Sequence, residues 1–179
     1  SLVEKKSKEY LFTIEWGVQT ETGDLEVKVV KKKNLFPKKK TIEKYLENFI
    51  GKTFQIPPKY SSKKINGSRA YELVRKNKEF EIKGKYIEIM KLVLKRILSK
   101  DKAEFYIECG SGTYIRSLAE DLSKLLGTIG TVSSLRRIGF GDFNKKLISL
   151  DYLLSLMHSE KLIKAVKPVN SFFGGSERD

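Results

Sequence analysis

The pattern of apolar and polar positions along the chain predicts strands and helices in alternation. Apolar runs and alternations predict five strands, over residues 10–16, 25–30, 86–97, 102–109 and 135–143. Turn-prone residues between the first two strands and at the tip of the next pair predict two antiparallel hairpins. Hairpins interleaved with helices indicate the α+β class of fold.

Apolar residues spaced three or four apart predict the helices. Thr41 is a suitable N-cap for the first helix, which would end at Gly51. The apolar face of this helix would comprise Ile42, Leu46, Phe49 and Ile50. Three further helices are expected, over residues 68–77, over residues 113–127 and after Ser149.

The start of the helix at 113–127 holds a cation in an unusual place. A glycine turn leads into this helix, and Arg116 lies in its first turn. The positive end of the helix dipole opposes a cation there, at a cost of about 0.3–1 kcal/mol at an exposed site. Arg116 also flanks the apolar stripe, which favours an anion held nearby. A surface pair with Glu120, four residues along, is the alternative that the residues leave open.

The composition describes one basic globular domain over residues 1–179. The chain has 40% hydrophobic and 32% charged residues, and its net charge is +14. Such a charge favours a polyanionic partner, of which nucleic acid is the commonest. A lysine-rich surface of the kind found in thermophiles is the competing interpretation.

The scarcity of cysteine and histidine argues against several kinds of site. Cys109 is the single cysteine and His158 the single histidine, so an internal disulfide is excluded and no metal centre is expected. Cys109 falls within an apolar alternation, which predicts a small buried side chain. No apolar run approaches about 18 residues and no signal peptide is evident, so we expect a cytoplasmic protein without a membrane partner.

Residues 59–78 combine positive charge with aromatic rings. The segment holds seven basic residues and one acid, Glu72, with Tyr60 and Tyr71 among them. Cations suit phosphates and rings suit bases, so the segment is a candidate RNA-binding loop. A solvated lysine-rich loop is the alternative at this stage.

Four segments, in this order, resemble the TruB-type bacterial tRNA pseudouridine synthases. Lys8-Glu9-Tyr10 is similar to the Lys-x-Tyr strand of that family. Residues 57–75 are similar to its PPxYSAxKxxGxRAYExAR segment, and residues 112–119 match its GTYIRSLA segment. Leu135-Arg136-Arg137, with Gly141 and Phe143, is similar to its LRRxxxGxF segment. Together the four segments span about residues 8–143, which makes the resemblance specific.

The resemblance implies a pseudouridine synthase fold, with a mixed, largely antiparallel sheet and flanking helices. It implies isomerisation of the T-loop uridine (U55) of tRNA by base flipping, without a cofactor. Tyr10 would stack on the flipped base, Arg116 would pair with a catalytic aspartate and Leu135 would line the base pocket. The insertion at 59–78 would contact the RNA through Lys59, Tyr60, Lys63, Lys64, Arg69 and Arg75.

The chain also departs from the family pattern. The family's catalytic aspartate lies in a Gly-x-Leu-Asp-Pro segment ahead of the Lys-x-Tyr strand, and no aspartate of this chain has that context. We therefore expect a removed N-terminal segment or a second chain to supply it, and we expect no C-terminal PUA domain. A tRNA-binding module or chaperone of the same fold, without catalysis, is the alternative function.

Overall fold

The computed structural model describes residues 7–20, 29–58, 60–61, 64–65, 68–70, 74 and 82–140. These residues form two helices, α1 (Lys39–Leu46) and α2 (Ile115–Leu125), and a 3-10 turn at Glu47–Phe49. The strands among them are β1 (Lys8–Trp16), β2 (Val18–Thr20), β3 (Val29–Lys32), β4 (Gly51–Gln55), β5 (Lys64–Ile65), β6 (Ser68–Arg69), β7 (Lys85–Ser99), β8 (Lys102–Cys109) and β9 (Gly130–Phe140).

Five strands form one antiparallel sheet in the order β4-β7-β8-β1-β9. Strand β1 lies between β8 and β9, so that Tyr10 is opposite Ile107 on one side and Arg137 on the other. The pairs β2–β3 and β5–β6 form two small separate sheets. The predicted α+β class and the largely antiparallel sheet are confirmed.

The core lies between one face of this sheet and the two helices. Alternation along β1 and β8 points Phe12, Ile14 and Phe105 into it, and all three are fully buried. The Phe12 and Phe105 rings stack with their centroids 5.3 Å apart. The buried residues of the helices are chiefly Ile42 and Leu46 from α1 and Ile115, Leu118, Ala119 and Leu122 from α2. Each large apolar side chain buried here contributes about 1.5–3 kcal/mol.

Cys109 is fully buried at the end of β8, as its position in the alternation predicts. Burial raises the pKa of its thiol, so the side chain acts as a small apolar residue of the core.

The predicted start of the first helix was wrong, whereas its predicted apolar face was right except at Ile50. The helix begins at Lys39, after Lys38 as N-cap, and the backbone N–H groups of Thr41 and Ile42 both donate to the Lys38 carbonyl. Lysines are good helix formers, and here they extend the helix ahead of Thr41. Ile50 is 45% exposed rather than part of the face. Gly51, with φ +88°, ends the helical segment as predicted.

The predicted hairpin of residues 10–16 with 25–30 was also wrong. Strand β3 covers Val29–Lys32 and pairs with β2 rather than with β1. Gly17 explains the difference, because its φ of +81° turns the chain out of the main sheet after β1. A Cβ at Gly17 would lie 2.5 Å from the Lys33 carbonyl oxygen. Residues 25–28 lie outside the described part.

Several other helices and strands begin at residues different from those predicted, because contacts with distant segments determine where they start. Ser68–Arg69 form β6 opposite β5, so the helix expected from Ser68 starts later, and Ala70 and Val74 are helical. The rest of that helix and the helix after Ser149 fall outside the described residues. Helix α2 begins at Ile115 rather than Thr113, and β9 begins at Gly130 rather than Leu135.

Gly130 is a test of the close packing between β9, β1 and α2. A Cβ there would lie 2.5 Å from Ser123 Oγ and 2.9 Å from Ile14 Cγ2. We expect Gly130→Ala to lower the free energy of unfolding by about 1–3 kcal/mol, measured by urea denaturation. Gly110→Ala is the control, because its nearest contact would be an ordinary 3.6 Å, and its effect should stay within about 0.5 kcal/mol. Equal midpoints for the two variants would contradict this packing.

Candidate functional site

The side chain of Gln55 holds the start of α2 against β4. Its Nε2 donates to the Tyr114 carbonyl at 3.1 Å, and the Tyr114 backbone N–H donates to its Oε1 at 2.8 Å. Tyr114 is the N-cap of α2 and its own side chain makes no capping hydrogen bond. Gln55 is only 3% exposed, so both bonds are shielded from water. This amide therefore anchors the turn before Arg116 to the sheet.

The first turn of α2 is bonded in the same way to the segment that follows β4. Ser117 Oγ donates to the Ile56 carbonyl at 2.8 Å, and Arg116 Nη2 donates to the Tyr60 carbonyl at 2.9 Å. The two prolines between these carbonyls favour extended backbone and have no N–H groups. This segment therefore cannot form a regular backbone ladder there, and its carbonyls are available to side-chain donors. Two segments that are far apart in the sequence therefore meet at Arg116.

The glycine turn ahead of α2 is shaped by a positive φ and by Lys85. Gly112 has φ +82°, and Thr113 Oγ1 donates to the Gly110 carbonyl at 3.0 Å across the turn. Lys85 Nζ lies 5.8 Å from the centroid of the Tyr114 ring, and a Cβ on Gly112 would collide with the same ammonium group. Glycine is therefore favoured at 112 chiefly by its positive φ, because the flexible Lys85 side chain could move away from a Cβ.

A cavity of about 670 Å³ lies between α2 and the segment that follows β4. Arg116, Tyr60 and Lys124 are among its polar lining residues, and Phe54, Ile56 and the two prolines supply apolar surface. Its size falls in the range typical of small-molecule sites, and it combines an apolar wall with a few polar groups. Such a cavity can hold a planar organic group beside a guanidinium.

The acidic residues in the cavity wall have distinct environments. Glu120 pairs with Lys124 at 2.9 Å, which raises the pKa of that lysine. Burial raises the pKa of Asp121, and the nearby Lys124 offsets this only in part. Glu120, which the sequence offered as an alternative partner for Arg116, is thus engaged by a lysine one turn further along α2.

Tyr10 and Leu135 lie on the sheet rather than in the cavity wall. Arg137 Nε donates to the Tyr10 hydroxyl at 3.3 Å, and the guanidinium lies 5.3 Å from the centre of the same ring. Leu135 is 50% exposed and sits opposite Phe12 in the β1–β9 register. Of the described residues, the cavity lining thus includes Arg116 and Tyr60 but neither Tyr10 nor Leu135.

The residues predicted to bind RNA are described only in part. Tyr60 is half-buried, lines the cavity and accepts the hydrogen bond from Arg116. Lys64 and Arg69 are opposite each other in the β5–β6 pair. Lys59, Lys63 and Arg75 lie outside the described residues.

Sequence reasoning missed Gln55 and Arg137. The available signal for Gln55 was a glutamine at the end of a strand directly before the Ile-Pro-Pro turn. Arg137 belongs to the Leu-Arg-Arg segment, but its contact with Tyr10 depends on the β1–β9 register, which no local pattern shows.

The described residues contain no cluster of three or more His, Cys, Asp or Glu side chains placed to hold a metal ion. Within the same residues, no helix is long and apolar enough to cross a membrane.

The chain matches two protein-family descriptions. Residues 1–115 match the TruB family pseudouridylate synthase N-terminal domain. Residues 116–173 match the tRNA pseudouridylate synthase B C-terminal domain. The two matches meet within the first turn of α2, between Ile115 and Arg116.

Several bacterial proteins are similar to the chain. A tRNA pseudouridine synthase B of Ehrlichia canis is 35% identical over 182 residues, which covers 95% of this chain and 60% of that protein. One of Caulobacter vibrioides is 38% identical and covers 92% of this chain and 53% of that protein. One of Bradyrhizobium diazoefficiens is 41% identical, with 83% and 44% covered. The chain thus spans about half the length of these relatives.

Solved structures share the fold. A crystal structure of a Cbf5–Nop10–Gar1 complex matches with a TM-score of 0.63 at 20% identity, over 93% of this chain and 43% of that one. An H/ACA RNP bound to a substrate RNA containing 2′-deoxyuridine also matches at 0.63, with 18% identity over 93% of this chain and 41% of that one. At such low identity the similarity establishes the fold alone.

Because Gln55 makes these bonds, replacing it with a side chain of similar volume that cannot form them should lower the stability of the protein. Gln55→Met would leave the backbone N–H of Tyr114 without its partner and would remove one of the two hydrogen bonds to the Tyr114 carbonyl, which also accepts from the Leu118 N–H. We expect a loss of about 1–3 kcal/mol in the free energy of unfolding, measured by urea denaturation.

Gln55→Glu should instead lower the free energy of unfolding by an amount that depends on pH. Burial and the Tyr114 carbonyl raise the pKa of a carboxyl group there above its unfolded value, because only the protonated form can donate. The stability of the variant is therefore retained below the pKa that this carboxyl group has in the unfolded chain, and it is lost as the pH rises through the pKa of the same group in the folded protein. The deficit against the unmodified chain should grow from about pH 5 to about pH 8. Gln19→Glu, at a half-buried position, is the control, and a parallel pH profile for both variants would contradict the reciprocal bond.

Proposed function

Because the chain belongs to the TruB family of pseudouridine synthases, we propose that it isomerises the T-loop uridine (U55) of tRNA to pseudouridine. The observation that carries the proposal is the meeting of two family segments at one cavity. Arg116 of the GTYIRSLA segment is bonded to Tyr60 of the PPxYS segment, and both line the cavity wall.

The reaction breaks the bond between ribose C1′ and uracil N1 and forms a bond from C1′ to C5. The C5 proton leaves and N1 gains a proton, so the atoms balance without an oxidant, a reductant or a cofactor. The target base must first leave the stacked loop, which costs a few kcal/mol that protein contacts have to offset. Tyr10 on β1 and the half-exposed Leu135 on the neighbouring strand β9, both outside the cavity lining, supply such contacts.

The proposal assigns roles to three residues. Arg116 pairs with the family's catalytic aspartate, orients it and keeps it ionised as a nucleophile or base. Tyr10 stacks on the flipped base, and its contact with Arg137 orients the ring. Leu135, half exposed on β9, forms the apolar wall beside the base. The aspartate belongs to the Gly-x-Leu-Asp-Pro segment, which these 179 residues do not contain.

RNA contact is proposed for the basic insertion at 59–78 and its residues Lys59, Tyr60, Lys63, Lys64, Arg69 and Arg75. The net charge of +14 supports a polyanionic partner. The alternative remains a tRNA-binding module without catalysis, which the lack of that aspartate in the sequence favours for the 179 residues on their own.

Arg116 provides the direct test. In a protein that joins this chain to the aspartate segment, we expect Arg116→Ala to reduce tritium release from 5-tritiated uridine in tRNA by about a thousandfold. The affinity for tRNA should change by less than about threefold, because Arg116 bonds the protein backbone and faces the cavity.

Arg96→Ala is the matched control for Arg116→Ala. Arg96 forms an exposed ion pair with Glu104 near the tip of β7, and such pairs contribute little. A loss of tRNA binding with an unchanged turnover number in Arg116→Ala would contradict the pairing role. Turnover by the 179 residues alone would contradict the assignment of the aspartate to the additional segment.

A further inference from the structure

Two aromatic rings are exposed next to the cavity. Of the aromatic side chains whose exposure the structure describes, only Phe54 and Tyr86 are exposed, at 56% and 65%. They are opposite each other in the β4–β7 register, and their ring centroids lie 5.5 Å apart at 72°. Large apolar side chains that cluster at the surface commonly mark a binding site.

The Phe54 ring is held in place by its surroundings. It packs edge-on against Tyr86 and lies directly over Gly84, where a Cβ would collide with the ring. Because glycine is the residue at 84, the ring can lie close to the backbone. A ring held in this way can stack on a ligand without losing much rotational freedom on binding.

The charges around the pair suit a nucleic acid. Lys52 is on the same exposed face of β4 as Phe54, and its ammonium lies 4.9 Å from the centre of the Tyr86 ring. Lys83 is exposed directly before Gly84, and Glu88, opposite Lys52, is an acid on this face. Aromatic rings flanked by lysines are the arrangement by which proteins bind unpaired bases and their phosphates.

The pair adjoins the cavity that Arg116 lines. Phe54 lines the same cavity as Arg116 and Tyr60. A nucleotide next to one that enters the cavity would therefore meet the Phe54 and Tyr86 rings.

We propose that Phe54 and Tyr86 form a stacking platform for an unpaired base of the RNA substrate, beside the nucleotide that enters the cavity, with Lys52 at its phosphate. The platform rests on the proposed function, because it assumes that RNA enters the cavity. It adds a contact on β4 and β7, outside the basic insertion and outside the family segments.

Binding of a T-arm stem-loop RNA tests the platform, with 2-aminopurine placed in turn at each loop position. The double variant Phe54→Leu, Tyr86→Leu should bind about tenfold more weakly and lose the fluorescence quenching at one loop position. The salt dependence of its affinity should be unchanged, because no charge is removed. Lys52→Ala should instead reduce the slope of log affinity against log salt by about one.

Two controls separate stacking from loss of structure. Leu98→Ala, at an exposed apolar position near the far end of β7, should leave affinity and quenching unchanged. Phe54→Tyr with Tyr86→Phe keeps both rings and should restore binding if stacking is the contribution.

The outcomes are distinct. Unchanged affinity and quenching in the double variant, while the unmodified chain binds the T-arm, would overturn the platform alone. Failure of the unmodified chain to bind the T-arm more tightly than an unrelated hairpin of equal length would overturn the proposed function. If the double variant changes sedimentation rather than RNA binding, the two rings serve a protein interface and the platform is wrong.

Discussion

The paired hydrogen bonds between Gln55 and Tyr114 are the constraint on which the candidate site depends. They join β4, an edge strand of the main sheet, to the N-cap of α2, and the Gln55 side chain that makes them is buried. Burial of an amide is costly unless all its groups are bonded, so this contact tolerates little displacement. Through it the sheet, rather than the helix alone, determines where Arg116 lies.

Helix α2 is held both by apolar burial in the core and by hydrogen bonds at the candidate site. The apolar stripe of the helix supplies most of its attachment to the sheet, but such burial is not directional and does not by itself fix rotation or axial position. The bonds from Arg116 and Ser117 to the carbonyls of Tyr60 and Ile56 are directional. They place a cation against the helix dipole, a cost that a helix accepts where neighbouring acceptors offset it.

A feature of this fold could be predicted from the sequence when it depends on residues within one continuous segment. Strand β8 was predicted with its observed bounds, and the apolar stripe that Arg116 flanks in α2 packs into the core as predicted, because side-chain periodicity reports burial directly. The partner of β3 was not predicted, since Gly17 redirects the chain and propensity does not show which strands meet. Gln55 was missed for the same reason, because its partner lies on a distant element. The family segments indicated Arg116 and Tyr10, but not that Arg137 contacts the Tyr10 ring.

The sequence by itself determined the class of fold, the family to which the chain belongs and four of the five strands of the main sheet, β4 being the strand that it did not predict. It did so because periodicity and motif spacing are properties of continuous segments. Only the tertiary structure decided that Arg116 bonds the Tyr60 carbonyl, that Glu120 pairs with Lys124 and that Phe54 and Tyr86 are exposed side by side. Each of these depends on which atoms of separate segments come within hydrogen-bonding or van der Waals distance, and that is settled only when the whole core packs.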